Sequence, residues 1–319
     1  MTVILSKMWA ILGLLLALML MVPGWGSAQT SFDRIVVFGD SLSDPGNAFV
    51  ILGKANTPPY QSLDPLLVPD MPYARGGHHF TNGATWVEQL ARQFSLSGNT
   101  RPAFTELGVD ATNYAIGGAR VHDKAGAPTI TFEVTTFLNV FGGHAPANAL
   151  YVVEFGSNDI RDALEVQNAA IIEQAVASVQ ANIASLYSAG ARKFLVCNAP
   201  DLSRTPAVIA TDKIMPGAAA AAHQLSLYYN LLLDYLLTSM SSQFPDMQVV
   251  KVGFFSKLED VVGDPAAFGL SVVNTPCLTP GSAPYACNKP DTFLFWDGIH
   301  PTEMVHTVIS QQALSELAK

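Results

Sequence analysis

The sequence predicts an α/β protein whose parallel sheet is covered by helices on both faces. Three observations carry the prediction. Short β-rich runs alternate with longer segments of helical pattern, and strands joined through helices lie parallel and need cover on both faces. Hydrophobic residues make up 49% of the 319 residues and charged residues 13%, enough apolar surface for a sizeable core and too little charge for a disordered chain. No stretch repeats at a solenoid period.

Residues 1–28 come first and read as a secretory signal: Lys7, the apolar run 8–22, then Pro23 and the small residues Gly26, Ser27 and Ala28. The run is shorter than the ~20 apolar residues a membrane span needs. Cleavage is therefore expected, with an uncleaved anchor as the alternative. Residues 29–319 are left as a single domain in an extracytoplasmic setting, and no later segment reaches spanning length without a charge or a proline.

The β-rich runs are 34–38, 112–116, 150–155, 193–197 and 248–252. Between the first two, residues 53–81 are rich in Pro and Gly and read as a long surface loop that contains His78 and His79. Between the third and fourth, Ile172, Val176, Val179, Ile183 and Leu186 follow the 3.6-residue period, with Gly190 as the C-cap. A helix over about 217–244 carries Leu225, Tyr229, Leu232 and Leu236 on one stripe, and a last one starts near Pro301-Thr302 with Val305, Val308, Ile309 and Leu314 apolar.

The formal charge of −9 repels phosphate backbones and anionic lipid surfaces, so nucleic acid is not an expected partner. None of the three cysteines sits in a Cys-x-x-Cys pair, which removes thiolate metal binding. Cys277 and Cys287 bracket a Pro- and Gly-rich loop and read as a disulfide pair in an oxidising compartment, with two free thiols as the alternative. Cys197 follows Phe194-Leu195-Val196 and reads as a buried small hydrophobe.

In open α/β sheets, chemistry collects at the carboxyl ends of the strands. The first run ends in Phe38-Gly39-Asp40-Ser41-Leu42-Ser43-Asp44, which delivers a serine after a tight turn. The second is followed by Gly117-Gly118 and the third by Gly156-Ser157-Asn158-Asp159, and Asp297-Gly298-Ile299-His300-Pro301-Thr302 stands near the C-terminus. Those blocks hold what acyl transfer needs: a nucleophile, a base, an orienting carboxylate and donors for an oxyanion. No metal and no cofactor is called for.

The four blocks resemble the GDSL, or SGNH, hydrolase family, in the branch with the extended Phe-Gly-Asp-Ser-Leu-Ser-Asp-x-Gly-Asn block. They occur in the family's order and span Phe38 to Thr302. The resemblance implies a three-layer α/β/α sandwich with a flavodoxin-like, five-stranded parallel sheet, and an esterase or lipase activity. Carried over residue by residue, it implies Ser41 as nucleophile, His300 as base and Asp297 as the acid. The oxyanion hole falls to the Ser41 amide, Gly118 (after Asn113) and Asn158. Pro45 departs from the branch, which often has threonine there.

The neighbouring residues read as structural. Asp40, Asp44 and Asn47 fasten the nucleophile turn through backbone hydrogen bonds, Gly117 packs, and Asn158 and Asp159 could instead cap the next helix. His122, His144, His223 and His306 read as structural or surface residues. An α/β-hydrolase would carry Gly-x-Ser-x-Gly, which is absent, and a metallophosphoesterase would need histidines beside its carboxylates, where the chain offers no His-x-His or Asn-His. A non-catalytic glycan- or lipid-binding relative would be expected to have lost a member of the triad. Acyl transfer to an acceptor other than water stays open, as do the oligomeric state and the substrate. The variable loops, about 50–82 and 119–148, carry no legible code, although export favours a lipid or an acetylated glycan over an intracellular thioester.

Overall fold

The computed structural model describes residues 32–52, 78–278 and 286–319. The expected leader, most of the expected 53–81 loop and the Pro-Gly loop inside the cysteine pair lie outside the described residues. In chain order the elements are β1 (Arg34–Gly39), α1 (Asn47–Leu52), α2 (Trp86–Gln93), α3 (Ile130–Val140), β2 (Ala149–Glu154), α4 (Ser157–Glu165), α5 (Ala170–Ala189) and β3 (Lys193–Cys197). Then follow α6 (Pro206–Ile214), α7 (Ala218–Gln243), β4 (Gln248–Val252), α8 (Phe254–Gly263), β5 (Val272–Pro276), β6 (Phe293–Phe295) and α9 (Glu303–Leu317).

The sheet is parallel in the order β1-β2-β3-β4, with Val37, Val152, Leu195 and Val250 in register across it. Side chains alternate between its faces. Val36, Phe38, Tyr151, Val153, Phe194 and Val196 face a core shared with α3, α4, α5 and α7. Ile35, Val37, Leu150, Val152 and Leu195 face the other core, shared with α2, α8 and α9. Three layers result. All five periodic positions of α5 are buried, and Gly190 closes the helix at φ 124°, a conformation that favours glycine.

The expected strand at 112–116 lies along the free edge of β1 but is not a regular strand. Val37 donates to the Thr112 carbonyl at 2.9 Å, and Tyr114 and Ile116 donate to Val37 and Gly39 at 2.8 and 3.0 Å. Counting this segment, the order is flavodoxin-like, 2-1-3-4-5. Side chains interrupt the ladder. The Gly39 N–H goes to Glu133 Oε2 at 2.9 Å, and on the other side of the Val37–Asn113 bridge the Ile35 N–H goes to Asn99 Oδ1 at 3.1 Å. The variable region expected over 119–148 is also partly core, because α3 lies within it and buries Ile130, Glu133, Val134 and Phe137. A short parallel pair, β5 and β6, leads the chain into Asp297.

Candidate active site

Ser41, Gly118 and Asn158 lie just past β1, the 112–116 segment and β2, at the carboxyl end of the sheet, and Asp297 and His300 lie just past β6. Ser41 follows β1, and its turn is fixed by buried polar side chains. Asp40 Oδ1 accepts from Leu42 N at 3.0 Å. Asp44 Oδ1 accepts from Gly46 N and Asn47 N at 2.7 and 2.5 Å, while its Oδ2 accepts from Ala48 N and Gly117 N at 3.0 and 2.7 Å. Asn47 donates to the carbonyls of Asn113 and Ala115, both at 2.8 Å. One aspartate thus starts α1 and pins the glycine pair, so the Ser41 turn and the 117–118 turn share one anchor.

Asp297 and His300 share a second turn, in which Asp297 Oδ1 accepts from Ile299 N at 2.8 Å and His300 N at 2.7 Å. Its other oxygen lies 2.6 Å from His300 Nδ1, and His300 Nε2 lies 2.7 Å from Ser41 Oγ. A carboxylate can only accept, so the ring proton sits on Nδ1 and Nε2 accepts from the serine hydroxyl. Asp297 and His300 are each 1% exposed and Ser41 7%, so the line is shielded from water, which strengthens it.

Gly117 and Gly118 are glycines for different reasons. A Cβ on Gly117 would stand 2.1 Å from the Phe80 ring, and that ring packs on the His300 ring at 5.2 Å between centroids. A Cβ on Gly118 would meet nothing within 4 Å, but the backbone there has φ +81°. Among the described residues, neither the Ser41 N–H nor the Gly118 N–H hydrogen-bonds an acceptor.

Asn158 stands in the first turn of α4 and lines the same cleft as Ser41 and His300. Its Nδ2 donates to the Ala119 carbonyl at 3.0 Å and, at 3.3 Å, to Asp40 Oδ2. The second contact is at the long end of the hydrogen-bond range. Its Oδ1 accepts from Arg161 Nη1 at 3.2 Å. Asp159 does not cap α4, whose N-cap is Gly156. It reaches across to the glycine loop, accepting from Val121 N and His122 N at 3.0 and 2.9 Å and lying 2.6 Å from His122 Nδ1.

Carboxyl groups crowd beneath the serine. Burial pushes Asp40 and Asp44 up to about 6, and raises Glu133 and Glu154 well above the usual carboxylate range. Glu154 Oε2 accepts from Ser43 Oγ at 2.9 Å. Among the described residues no group of histidine, cysteine and acidic side chains is arranged to hold a metal ion. Cys277 and Cys287 are joined by a disulfide and Cys197 is buried and free. The bridge sits beside the Asp297–His300 turn, since Cys277 N donates to the Phe295 carbonyl at 3.0 Å.

Sequence reasoning missed three contributors. Phe80 lay in the expected loop and carried no pattern. Arg161 follows the third block by a few residues, and nothing in its local pattern marks it. Glu133 did leave a signal, being an acid on the same helical stripe as Ile130, Val134 and Phe137.

The chain matches the GDSL-like lipase/acylhydrolase family over residues 35–313. Three GDSL esterase/lipases of Arabidopsis thaliana are 25%, 26% and 27% identical to it, covering 88%, 88% and 92% of this chain and 84%, 81% and 92% of their own. Similar solved structures include an acetylxylan esterase from Geobacillus stearothermophilus, at TM-score 0.46 and 13% identity over 91% of this chain and 96% of that one. Another is a lipase/acylhydrolase from Enterococcus faecalis, at TM-score 0.43 and 11% identity over 90% of this chain and 96% of that one.

Proposed function

The chain belongs to the GDSL-like lipase/acylhydrolase family and is a carboxylic ester hydrolase, and from that footing we propose that it is an exported serine esterase working through an acyl-enzyme on Ser41. One observation carries the mechanism: Ser41 Oγ, His300 Nε2, His300 Nδ1 and Asp297 Oδ2 form a continuous line with gaps of 2.7 and 2.6 Å. The hydroxyl attacks the ester carbonyl as its proton passes to Nε2, and Asp297 stabilises the imidazolium that forms. The carbonyl oxygen, now an oxyanion, takes hydrogen bonds from the Ser41 and Gly118 amides and from Asn158 Nδ2, which exchanges its long contact to Asp40 for the stronger acceptor. Collapse expels the alcohol with the proton from Nε2. Water then repeats the sequence on the acyl-enzyme and frees the carboxylic acid.

Export is supported by the leader-like pattern of residues 1–28 and by the Cys277–Cys287 bridge, of a kind rare in reducing compartments. No helix among the described residues is long and apolar enough to cross a membrane.

The test is Ser41→Ala assayed on p-nitrophenyl acetate, with and without a chelator. Removing one hydroxyl from a turn leaves far-UV circular dichroism and Tm near wild type, while hydrolysis falls by about 10³-fold or more. A variant retaining a tenth of the activity, or a wild type silenced by the chelator, refutes the serine mechanism.

A further inference from the structure

We propose that the acyl part of the ester is seated in an apolar cleft that opens on Ser41 and passes between α8 and α9, making the enzyme selective for medium-length aliphatic acyl groups over acetate. The proposal rests on the serine-esterase reading above and adds the substrate class that reading leaves open.

Ser41, Asn158, Arg161 and His300 surround the mouth of the cleft. Beyond them the lining is hydrocarbon: Leu42, Leu202, Phe254, Val261, Leu294 and Ile309, each less than 9% exposed. Topology gives the cleft its direction. Helix α8 begins just past β4, α9 begins just past His300, and both run from the carboxyl end of the sheet back along its face. Val261 lies seven residues into α8 from Phe254, and Ile309 six residues into α9 from Glu303. At 1.5 Å per residue the lined stretch is roughly 10 Å deep, the reach of a medium acyl chain.

Three polar side chains along the cleft make contacts within the protein. Thr205 Oγ1 donates to the Leu202 carbonyl at 2.7 Å, Lys257 Nζ pairs with Asp260 at 2.9 Å, and Arg161 Nη1 donates to Asn158. Past the mouth the lining is hydrocarbon, and burying a polar alcohol group or a sugar there unpaired is unfavourable. An alkyl chain loses nothing and gains contact area.

The chemistry assigns the cleft to the acyl side. The acyl group stays bonded to Ser41 through the second half of the cycle, whereas the alcohol must leave beside His300 Nε2 and be replaced there by water. Were the alcohol to occupy the apolar cleft, the incoming water would have to cross hydrocarbon to reach the base. With the acyl chain inside, the solvent side of the serine stays clear for water, and the chain keeps the cleft dry.

Each methylene transferred from water into such a lining favours the reaction by up to about fourfold. The experiment measures kcat/KM on p-nitrophenyl acetate, butyrate, hexanoate, octanoate and dodecanoate for wild type, Val261→Trp and Val261→Ala. In wild type the value climbs from acetate toward hexanoate or octanoate and then levels or falls. Val261→Trp fills the cleft and lowers the octanoate-to-acetate ratio at least tenfold, while Val261→Ala moves the maximum to a longer chain. Either variant alone decides the matter should the other not fold. Hydrolysis that depends on Ser41 but keeps the same chain-length ratios in the foldable variants overturns the acyl cleft and leaves the esterase reading standing. No Ser41-dependent hydrolysis of any ester overturns both.

Discussion

Replacing Gly117 with alanine tests how the site is held without touching an atom that reacts. The new Cβ would stand 2.1 and 2.3 Å from two carbons of the Phe80 ring, where carbon atoms settle at about 3.5–4.0 Å, so the ring must shift by more than about 1 Å. Overpacking of this kind costs about 1–3 kcal/mol. The restricted unfolded chain returns about 0.4–1 kcal/mol of that, since the Gly117 backbone is not in the left-handed region and accepts alanine. A net loss of about 0–2.5 kcal/mol lowers Tm by up to roughly 10 °C for a chain of this size. Activity responds more steeply, because the displaced ring packs on His300 and a shift of about 1 Å at a catalytic group can cost 10²-fold. The assay is a double-mutant cycle with Phe80→Ala, following Tm and kcat on p-nitrophenyl acetate. Once the ring is gone the added methyl has room, so Gly117→Ala becomes nearly neutral in the Phe80→Ala background, a coupling of about 1 kcal/mol or more. If Gly117→Ala costs the same with and without the ring, the steric account of Gly117 is refuted.

Asn158→Ala loses on the order of 10²–10³ in kcat with KM little changed, and Asn158→Asp is at least as damaging because it sets a negative charge against the oxyanion; an active aspartate variant removes Asn158 from the oxyanion hole. Thiol titration of the unfolded, unreduced protein counts one free cysteine, Cys197, and reduction of the bridge removes roughly 2–3 kcal/mol of stability; a count of three refutes the bridge. His306 is buried, its Nδ1 accepts the Trp86 N–H at 3.2 Å, and burial lowers its pKa from 6.5 to about 3, helped by His300 and His79. The unfolded chain therefore binds a proton below pH 6.5 that the folded chain refuses, so the stability present above 6.5 is lost as pH falls from 6.5 toward 3. In urea melts the stability advantage of wild type over His306→Gln shrinks from pH 7.5 to 5.5, and an advantage independent of pH contradicts the assignment.

How much of this was legible in the sequence follows from where each interaction lives. Strands β1 to β4 and helix α5 could be read because their side chains answer to one neighbour, the sheet, and so repeat with a fixed period. Ser41, Asp297 and His300 could be read because each stands in a short block whose spacing suits the chemistry proposed for them. Residues 112–116 were read as a strand, and their pattern is that of one, but the ladder was cut by Glu133 and Asn99, which are distant in sequence and reach backbone groups no local pattern names. Phe80 and Arg161 were opaque for the same reason. Phe80 matters only through a glycine 37 positions later and a histidine near the C-terminus, and no periodicity encodes such a meeting.

The buried acids explain how separately folded turns come to agree on one geometry. A turn at the end of a strand has left the ladder, so its N–H groups need acceptors that secondary structure no longer supplies. Asp44 gives acceptors to the start of α1 and to Gly117 together, and Asp159, one residue from Asn158, gives them to Val121 and His122. Glu133 takes the Gly39 N–H two residues before the serine. Each carboxyl therefore fixes one segment against another, and a backbone that drifted would strand buried donors, each at a cost of about 1–3 kcal/mol. Burying acids is unfavourable, as the raised pKa values of Asp44 and Glu133 record. On the proposed mechanism that cost is tolerated because it fixes the serine, the glycine amide and the asparagine amide relative to one another before any substrate arrives, and donors already in place need no reorganisation when an oxyanion forms.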